Sequence, residues 1–185
     1  MNVLIYTHEF PPFQGGIATS AKMIADILSS ENKLIVCCPD YGIDNFDEPE
    51  NFCIDRINFI GGKNFKKVPL TQYIYGLLRV RQIIRTFKPD KILFLGEEAE
   101  LIGGLLNNRE IDQIVRIAGS GIESIIKKKG ISKILSKFLL KRLYRNSKNI
   151  IAVSTNTMKL MKSENEYFSH DKIRLIYNGI DSSFI

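Results

Sequence analysis

The chain offers few residues whose types and order suit chemistry, and the first group surrounds two adjacent glycines. Glu9-Phe10-Pro11-Pro12-Phe13-Gln14-Gly15-Gly16 joins a β-branched run, Val3–Thr7, to a helical period that begins near Ile17. Pro11 and Pro12 lack the N–H that a strand ladder needs and hold the chain extended. Gly15 and Gly16 can take positive φ and admit a ligand where a Cβ would stop it. The helix then aims its free N–H groups and dipole at that ligand, which suits phosphate. The same pair also serves a plain strand-to-helix turn, and spacing alone does not separate the two. Neither a G-x-x-x-x-G-K loop nor a dinucleotide fingerprint occurs there.

Other candidates are single residues or partial motifs. Glu97 and Glu98 follow the apolar run Lys91–Leu95, where one can face a cleft as partner to a substrate hydroxyl. Acids at a helix N-terminus are the plainer reading on dipole grounds. His8 adjoins the glycine loop and can touch a sugar or phosphate, although a lone loop histidine is more often a hydrogen-bonded surface group. Gly119-Ser120-Gly121 half-matches a dinucleotide loop, but Ser124 stands at the third glycine position and no acid follows about 20 residues on. Cys37, Cys38 and Cys53 form no C-x-x-C pair, which argues against a zinc site or a disulfide framework and for a reducing, cytoplasmic setting.

The net charge of +6 is local. Ser124–Lys148 holds nine cations and no acid, whereas the remainder holds 17 cations and 20 acids. Lys133, Lys137, Lys141 and Arg145 recur every four residues along one side of a helix. Ile131, Ile134, Leu135, Phe138, Leu139 and Leu143 form its apolar side. A solvated face explains such a run, and so does attraction to an anionic membrane surface. Nucleic acid is not expected as a partner, because no aromatics interleave with the cations as a stacking platform requires.

These groups are positioned by alternating strands and helices. Val3–Thr7, Leu34–Cys38, Lys91–Leu95, Gln113–Ala118, Asn149–Ser154 and Ile173–Tyr177 read as strands, with a weaker one at Ile54–Ile60. Several are continuously apolar, as strands covered on both faces are. Helical periods lie between them, with Ile17, Ala21, Ile24 and Leu28 inward in the first and Ile74, Leu77, Leu78 and Ile84 inward in the second. The pattern predicts one α/β domain over residues 1–185, a doubly wound, mostly parallel Rossmann-like sheet with helices on both faces. A hydrophobic fraction of 44% over 185 residues is enough for a full core, so a disordered chain is excluded. The longest apolar run is five residues, far short of the ~20 a membrane span needs. No cationic leader precedes Val3, so no secretory signal is expected.

Phe10-Pro11-Pro12 followed by Gly15-Gly16-Ile17 resembles the opening of GT-B nucleotide-sugar glycosyltransferases, specifically the large retaining family 4. Ile151-Ala152-Val153-Ser154, then Lys172-Ile173-Arg174-Leu175-Ile176-Tyr177-Asn178-Gly179-Ile180-Asp181 with Phe184, resembles the strand and Asn-Gly-Ile-Asp turn that close that family's first domain. The resemblance implies the N-terminal, acceptor-binding domain of a two-domain enzyme, with the C-terminal donor-binding domain absent from this chain. It implies transfer of a hexose from a nucleotide sugar to a glycan or lipid-linked acceptor in the interdomain cleft, as in polysaccharide biosynthesis. The Gly15–Gly16 loop would face the donor diphosphate, and Asn178-Gly179 would lead into the linker. No cofactor or metal is expected, and this chain alone would be inactive, either truncated or one component of a split enzyme.

The resemblance breaks at one point. The family often carries His-Gly-x-Asp after a mid-domain strand, where this chain has Arg116-Ile117-Ala118-Gly119-Ser120-Gly121-Ile122-Glu123. Ala118 replaces the histidine and Gly121 the aspartate. That leaves Arg116, Ala118, Gly119 and Ser120 as cleft positions, and Glu97, Glu98 and Glu123 as the acids available for a catalytic role. A non-catalytic module docking an acceptor or the inner face of a membrane is the alternative.

Overall fold

The computed structural model describes residues 1–42, 49–58, 71–117, 131–164 and 166–179, with only the backbone of residues 131–133. The strands are β1 Asn2–Thr7, β2 Lys33–Pro39, β3 Cys53–Ile57, β4 Lys91–Leu95, β5 Asp112–Ile117, β6 Asn149–Ala152 and β7 Ile173–Leu175. The described helices are α1 Gly16–Ser29, α2 Thr71–Phe87, α3 Glu97–Leu106, α4 Ile131–Asn146 and α5 Thr155–Ser163. All seven strands pair in parallel, in the order β3-β2-β1-β4-β5-β6-β7. The expected α/β class is therefore observed, and every expected strand forms within a few residues of its predicted ends.

The order fixes where the helices lie. From β1 the chain winds outward to β2 and β3, then returns to the other side of β1 and continues through β7. Right-handed crossovers in opposite directions place their helices on opposite faces. Accordingly α1 packs with Val3, Ile5, Val36 and Leu93 on one face. Helices α2 to α5 pack with Leu4, Tyr6, Ile92, Phe94, Val115 and Ile150 on the other. Burial on both faces is what makes these strands continuously apolar.

Three helix faces differ from expectation. In α1 the buried residues are Ala18, Ala21 and Ala25. Small side chains let the helix lie close on the sheet, so Ile24 and Leu28 are only half-buried at its flank. In α2 the inward residues are Gly76, Val80 and Ile83, while Ile74 and Leu78 are exposed. Gly76 decides this rotation, because a Cβ there would stand 2.3 Å from the Tyr6 hydroxyl. In α4, Leu139, Leu140, Leu143 and Tyr144 are buried, but Ile134, Leu135 and Phe138 are 70%, 55% and 59% exposed. The apolar arc of α4 is wider than the surface that receives it. Contact is concentrated at Gly104, where a Cβ would meet the Leu139 carbonyl oxygen at 2.4 Å.

Among the described residues, one acid lies inside this packing. Glu100, 2% exposed, accepts a 2.5 Å hydrogen bond from the Tyr144 hydroxyl. Burial pushes its carboxyl up to about 7, partly offset by the Tyr144 bond. The folded state therefore keeps a proton that the unfolded chain releases above its ordinary pKa of about 4.5. Its contribution is fully present below that value and is lost as pH rises through 7. We expect the stability of the native chain relative to Glu100→Gln to fall by on the order of 3 kcal/mol between pH 4.5 and 7.5. Denaturant titrations of both proteins across that range check this, and parallel pH profiles would refute it.

Candidate functional site

The winding reverses between β1 and β4, and the carboxyl ends of those strands form a crevice where open α/β sheets take ligands. Its first wall is the β1–α1 loop. Thr7 Oγ1 donates to the Glu9 carbonyl at 3.0 Å and accepts from the Glu9 N–H at 3.2 Å, which turns the chain as it leaves the sheet. Phe10 is fully buried against Phe52, Arg56 donates to the Pro11 carbonyl at 3.0 Å, and the Tyr41 hydroxyl donates to the His8 carbonyl. Pro11 and Pro12 are not extended as expected. They occupy a turn closed by the Phe13 N–H on the Phe10 carbonyl at 3.1 Å, the first N–H after the proline pair.

The two glycines have different surroundings, and neither takes the positive φ expected of them. Gly15 is extended at φ −179° and packs tightly: a Cβ would stand 2.8 Å from Glu9 Oε2 and 3.2 Å from the Phe13 ring. Gly16 faces open space, with nothing within 4 Å of a Cβ built there. No side chain caps α1, and its first turn holds no acid. Its N-terminal N–H groups and dipole are thus available beside Gly16, while the Glu9 carboxylate occupies the Gly15 side.

The second wall is the β4–α3 turn. Positive φ falls here, at Gly96 (φ +90°), where a Cβ would meet Ile17 of α1 at 3.3 Å. Glu97, Glu98 and Glu100 fill the first turn of α3, so the expected dipole role of these acids holds. Glu98 has further neighbours. It accepts from Gln72 Nε2 at 2.9 Å, adjoins Tyr73, and lies 3.8 Å from His8 Nε2. Burial and the Glu98 carboxylate raise the Tyr73 phenol well above its ordinary value.

His8 is not the surface group that its loop position suggested. Its side chain is 13% exposed, and both ring nitrogens are buried without a hydrogen-bond partner among the described residues. Burial lowers its pKa to about 4, so the ring is neutral at neutral pH. The Tyr6 ring meets it edge-on at 5.6 Å, and the Tyr6 hydroxyl is likewise buried with no partner among the described residues. Sequence reasoning undervalued His8, since Glu98 of α3, 90 residues away, and Tyr41 meet it only in the fold. Its place just past the carboxyl end of the strand at the winding reversal was the available signal.

The other candidates are dispersed. Arg116, 7% exposed on the α1 side of β5, donates through Nη2 to Asn178 Oδ1 at 2.5 Å. This bond ties the mid-domain strand to the C-terminal turn. An apolar groove of about 370 Å³ runs beside it between α1 and β4–β6, lined by Met23, Ile24, Leu93, Ile114 and Ile151. Ala118, Gly119, Ser120 and Glu123 lie outside the described residues, as does the Lys133 side chain. Lys137 sits 5.7 Å over the Tyr167 ring, Lys141 pairs with Glu166 at 3.2 Å, and Arg145 is exposed. Among the described residues, no cluster of three His, Cys, Asp or Glu side chains stands ready to hold a metal.

Residues 14–184 match the model of Glycosyltransferase Family 4. This chain belongs to that family. The family 4 chain also resembles several solved structures. Anabaena HepE in complex with UDP-glucose matches with TM-score 0.65 and 14% identity, over 98% of this chain and 44% of that one. Sucrose-phosphate synthase from Thermosynechococcus elongatus matches with TM-score 0.74 and 9% identity, over 98% and 49%. UDP-N-acetylglucosamine 2-epimerase from Rickettsia bellii matches with TM-score 0.61 and 11% identity, over 96% and 45%. The family 4 chain thus spans less than half the length of each. The epimerase shares the fold, so architecture alone leaves the reaction open and the family match narrows it. No curated protein matches the sequence.

Because the Arg116 guanidinium is buried, Asn178→Ala should leave it short of an acceptor and cost about 1–3 kcal/mol. In a double-mutant cycle with Arg116→Ala, we expect a coupling energy of about 1–2 kcal/mol by urea denaturation, and additive effects would deny the link.

Proposed function

We propose that this chain is the acceptor-binding half of a retaining glycosyltransferase that moves a hexose from a nucleotide sugar to a glycan or lipid-linked acceptor. The observation that carries the reading is the family 4 match over residues 14–184, with an uncapped α1 N-terminus opening at Gly16. A second, donor-binding domain would supply the nucleotide sugar across the cleft. The diphosphate leaving group gains negative charge as the glycosidic bond breaks, and oriented N–H groups at α1 stabilise that charge without reorganising. On this reading the transfer uses no bound metal, and the chain by itself does not turn over.

Gly16→Glu tests the assignment. The open space at Gly16 accommodates the side chain, and an acid in the first turn of a helix is stabilising. The carboxylate would repel the diphosphate. We expect the variant, joined to the donor domain encoded after or beside this chain, to fold as well as the native protein. Its kcat/KM should fall at least tenfold with the nucleotide hexose that the native protein uses. Equal activity, or no transfer by the native pair from any common nucleotide hexose, refutes the reading.

A peripheral membrane location at the inner face is part of the proposal. No described helix is long and apolar enough to cross a membrane. The outer side of α4 instead presents exposed Ile134, Leu135 and Phe138 among Lys137, Lys141 and Arg145. Apolar side chains that enter the headgroup boundary, flanked by cations, are the pattern of an interfacial helix. With about 1 kcal/mol per cation at an anionic surface, reversing all three to Glu should weaken sedimentation with phosphatidylglycerol vesicles by at least 100-fold. Native and triple-variant chains that sediment equally would remove the membrane from the proposal.

A further inference from the structure

We infer that the groove beside Arg116, on the α1 face of the sheet, binds an amphiphilic anion: an aliphatic chain that ends in a carboxylate or a phosphate monoester. This site is separate from the crevice at Gly16 and Glu98, and it does not depend on the transferase reading. The starting observation is a buried charge without a counter-ion. Arg116 is 7% exposed, and among the described residues no acid pairs with it. A guanidinium carries five N–H donors, and the one hydrogen bond it makes to those residues runs from Nη2 to Asn178 Oδ1. Burial pushes its pKa below the ordinary value, and no neighbouring charge offsets the push. Buried cations are normally paired, because a single neutral hydrogen bond does not make good the loss of water.

The groove around this charge selects an apolar tail. Its volume of about 370 Å³ falls in the ~300–1,000 Å³ range of small-molecule sites. Met23, Ile24, Leu28, Leu93, Ile114 and Ile151 form its walls, and Arg116 is the one charged side chain among the described lining residues. The winding of the sheet explains the opening: α3, α4 and α5 pack on the other face of β4–β6, and among the described helices α1 alone covers this one. Arg116 sits near the carboxyl end of β5, in register with Leu95 and Ile151, whereas Leu28 lies in the last turn of α1. From Ser20 to Leu28 the α1 wall runs about 12 Å, which matches an extended chain of about ten carbons. A tail on that path lies over Ile114 and Leu93 with its head at the guanidinium, whose planar fork fits paired carboxylate or phosphate oxygens. A cationic head finds no acid in the described lining. The rim is open and apolar, with Ile27, Ile176 and Tyr177 67%, 54% and 63% exposed, so an alkyl chain can enter from solvent.

The test reads a methyl group inside the groove, using the 185-residue chain with ¹³C-methyl methionine. Met23 lines the groove, and its methyl would stand 3.4 Å from a Cβ built on Gly179, while fully buried Met161 is the control. Decanoate, decyl phosphate and decyltrimethylammonium are each titrated below their micelle concentrations. We expect one or both anions to shift the Met23 signal saturably while Met161 stays fixed, with the cationic amphiphile at least tenfold weaker. Octanoate should bind roughly tenfold more weakly than decanoate, since two methylenes fewer are buried. Arg116→Met should weaken the anions at least tenfold and remove their advantage over the cation. Ile27→Glu, at an exposed rim position, should weaken them at least fivefold by placing a like charge beside the groove. A backbone amide spectrum like that of the native chain shows that each variant is folded. No saturable shift with either anion, equal binding of the cationic amphiphile, or equal anion binding by the folded variants each overturns the inference. Loss of the shift when the chain is joined to its donor domain also overturns it, and would make the groove a seat for that domain.

Discussion

The constraint on which the rest of this structure depends is the handedness of its crossovers. A parallel strand pair joined through a helix winds right-handedly, so a chain that begins in the middle of its sheet must reverse direction to finish it. Here β1 is that middle strand, and the reversal falls between β1 and β4. The loops after those two strands leave toward opposite faces, α1 to one and α3 to the other. The diverging loops open a crevice that no other strand pair in this sheet provides. The closeness of His8 to Glu98, separated by 90 positions in sequence, is a consequence of that topology and not of any local motif.

Close approach of backbones is the second theme. Gly76 over the Tyr6 hydroxyl and Gly104 against the Leu139 carbonyl each sit where a methyl group has no room. These contacts fix the rotation of α2 and the crossing point of α4. They also explain what remains outside. Once α4 is seated at Gly104, its buried side runs through Leu139, Leu140 and Leu143, and Ile134, Leu135 and Phe138 are left facing solvent. An exposed patch beside cations thus follows from a wide apolar arc meeting a narrow receiving surface.

The sheet was legible in the sequence because burial on both faces writes strands as short continuous apolar runs, as in Leu34–Cys38 and Lys91–Leu95. The family was legible because the residues around Gly15–Gly16 and Asn178-Gly179 lie at the two ends of one domain in the right order. Helix rotation was not legible, since periodicity finds an apolar stripe but not the part of it that a partner covers. In α1 the alanines take the contact and the larger residues flank it, a choice set by the sheet beneath. The positive-φ glycine was misplaced for a related reason. Gly15 looked like the special position, but the need arose at Gly96, where α1 presses Ile17 against the β4–α3 turn. His8 carried no sequence signal of burial, since Glu98 of α3 and Tyr41, which meet it in the fold, are distant in sequence.

The two helix N-termini at the crevice are electrostatically unlike, and that difference bears on which ligand meets which wall. Helix α3 carries Glu97, Glu98 and Glu100 in its first turn, so its own carboxylates already answer its dipole. Helix α1 carries no acid in its first turn and no capping side chain, but the Glu9 carboxylate stands beside its N-cap Gly15, so its dipole is answered on that side and left open only at Gly16. An anion arriving from outside is therefore drawn to the open Gly16 side of α1, away from Glu9, and repelled from α3. A neutral hydroxyl gains nothing from α1 beyond a hydrogen bond, but Glu98, held by Gln72 and half-exposed, is an acceptor open to it. On the proposed reading these preferences keep a charged donor and an uncharged acceptor on separate sides of one opening. A transferase needs that ordering, since an acceptor that settled on the anion's wall would block the reaction it was meant to join.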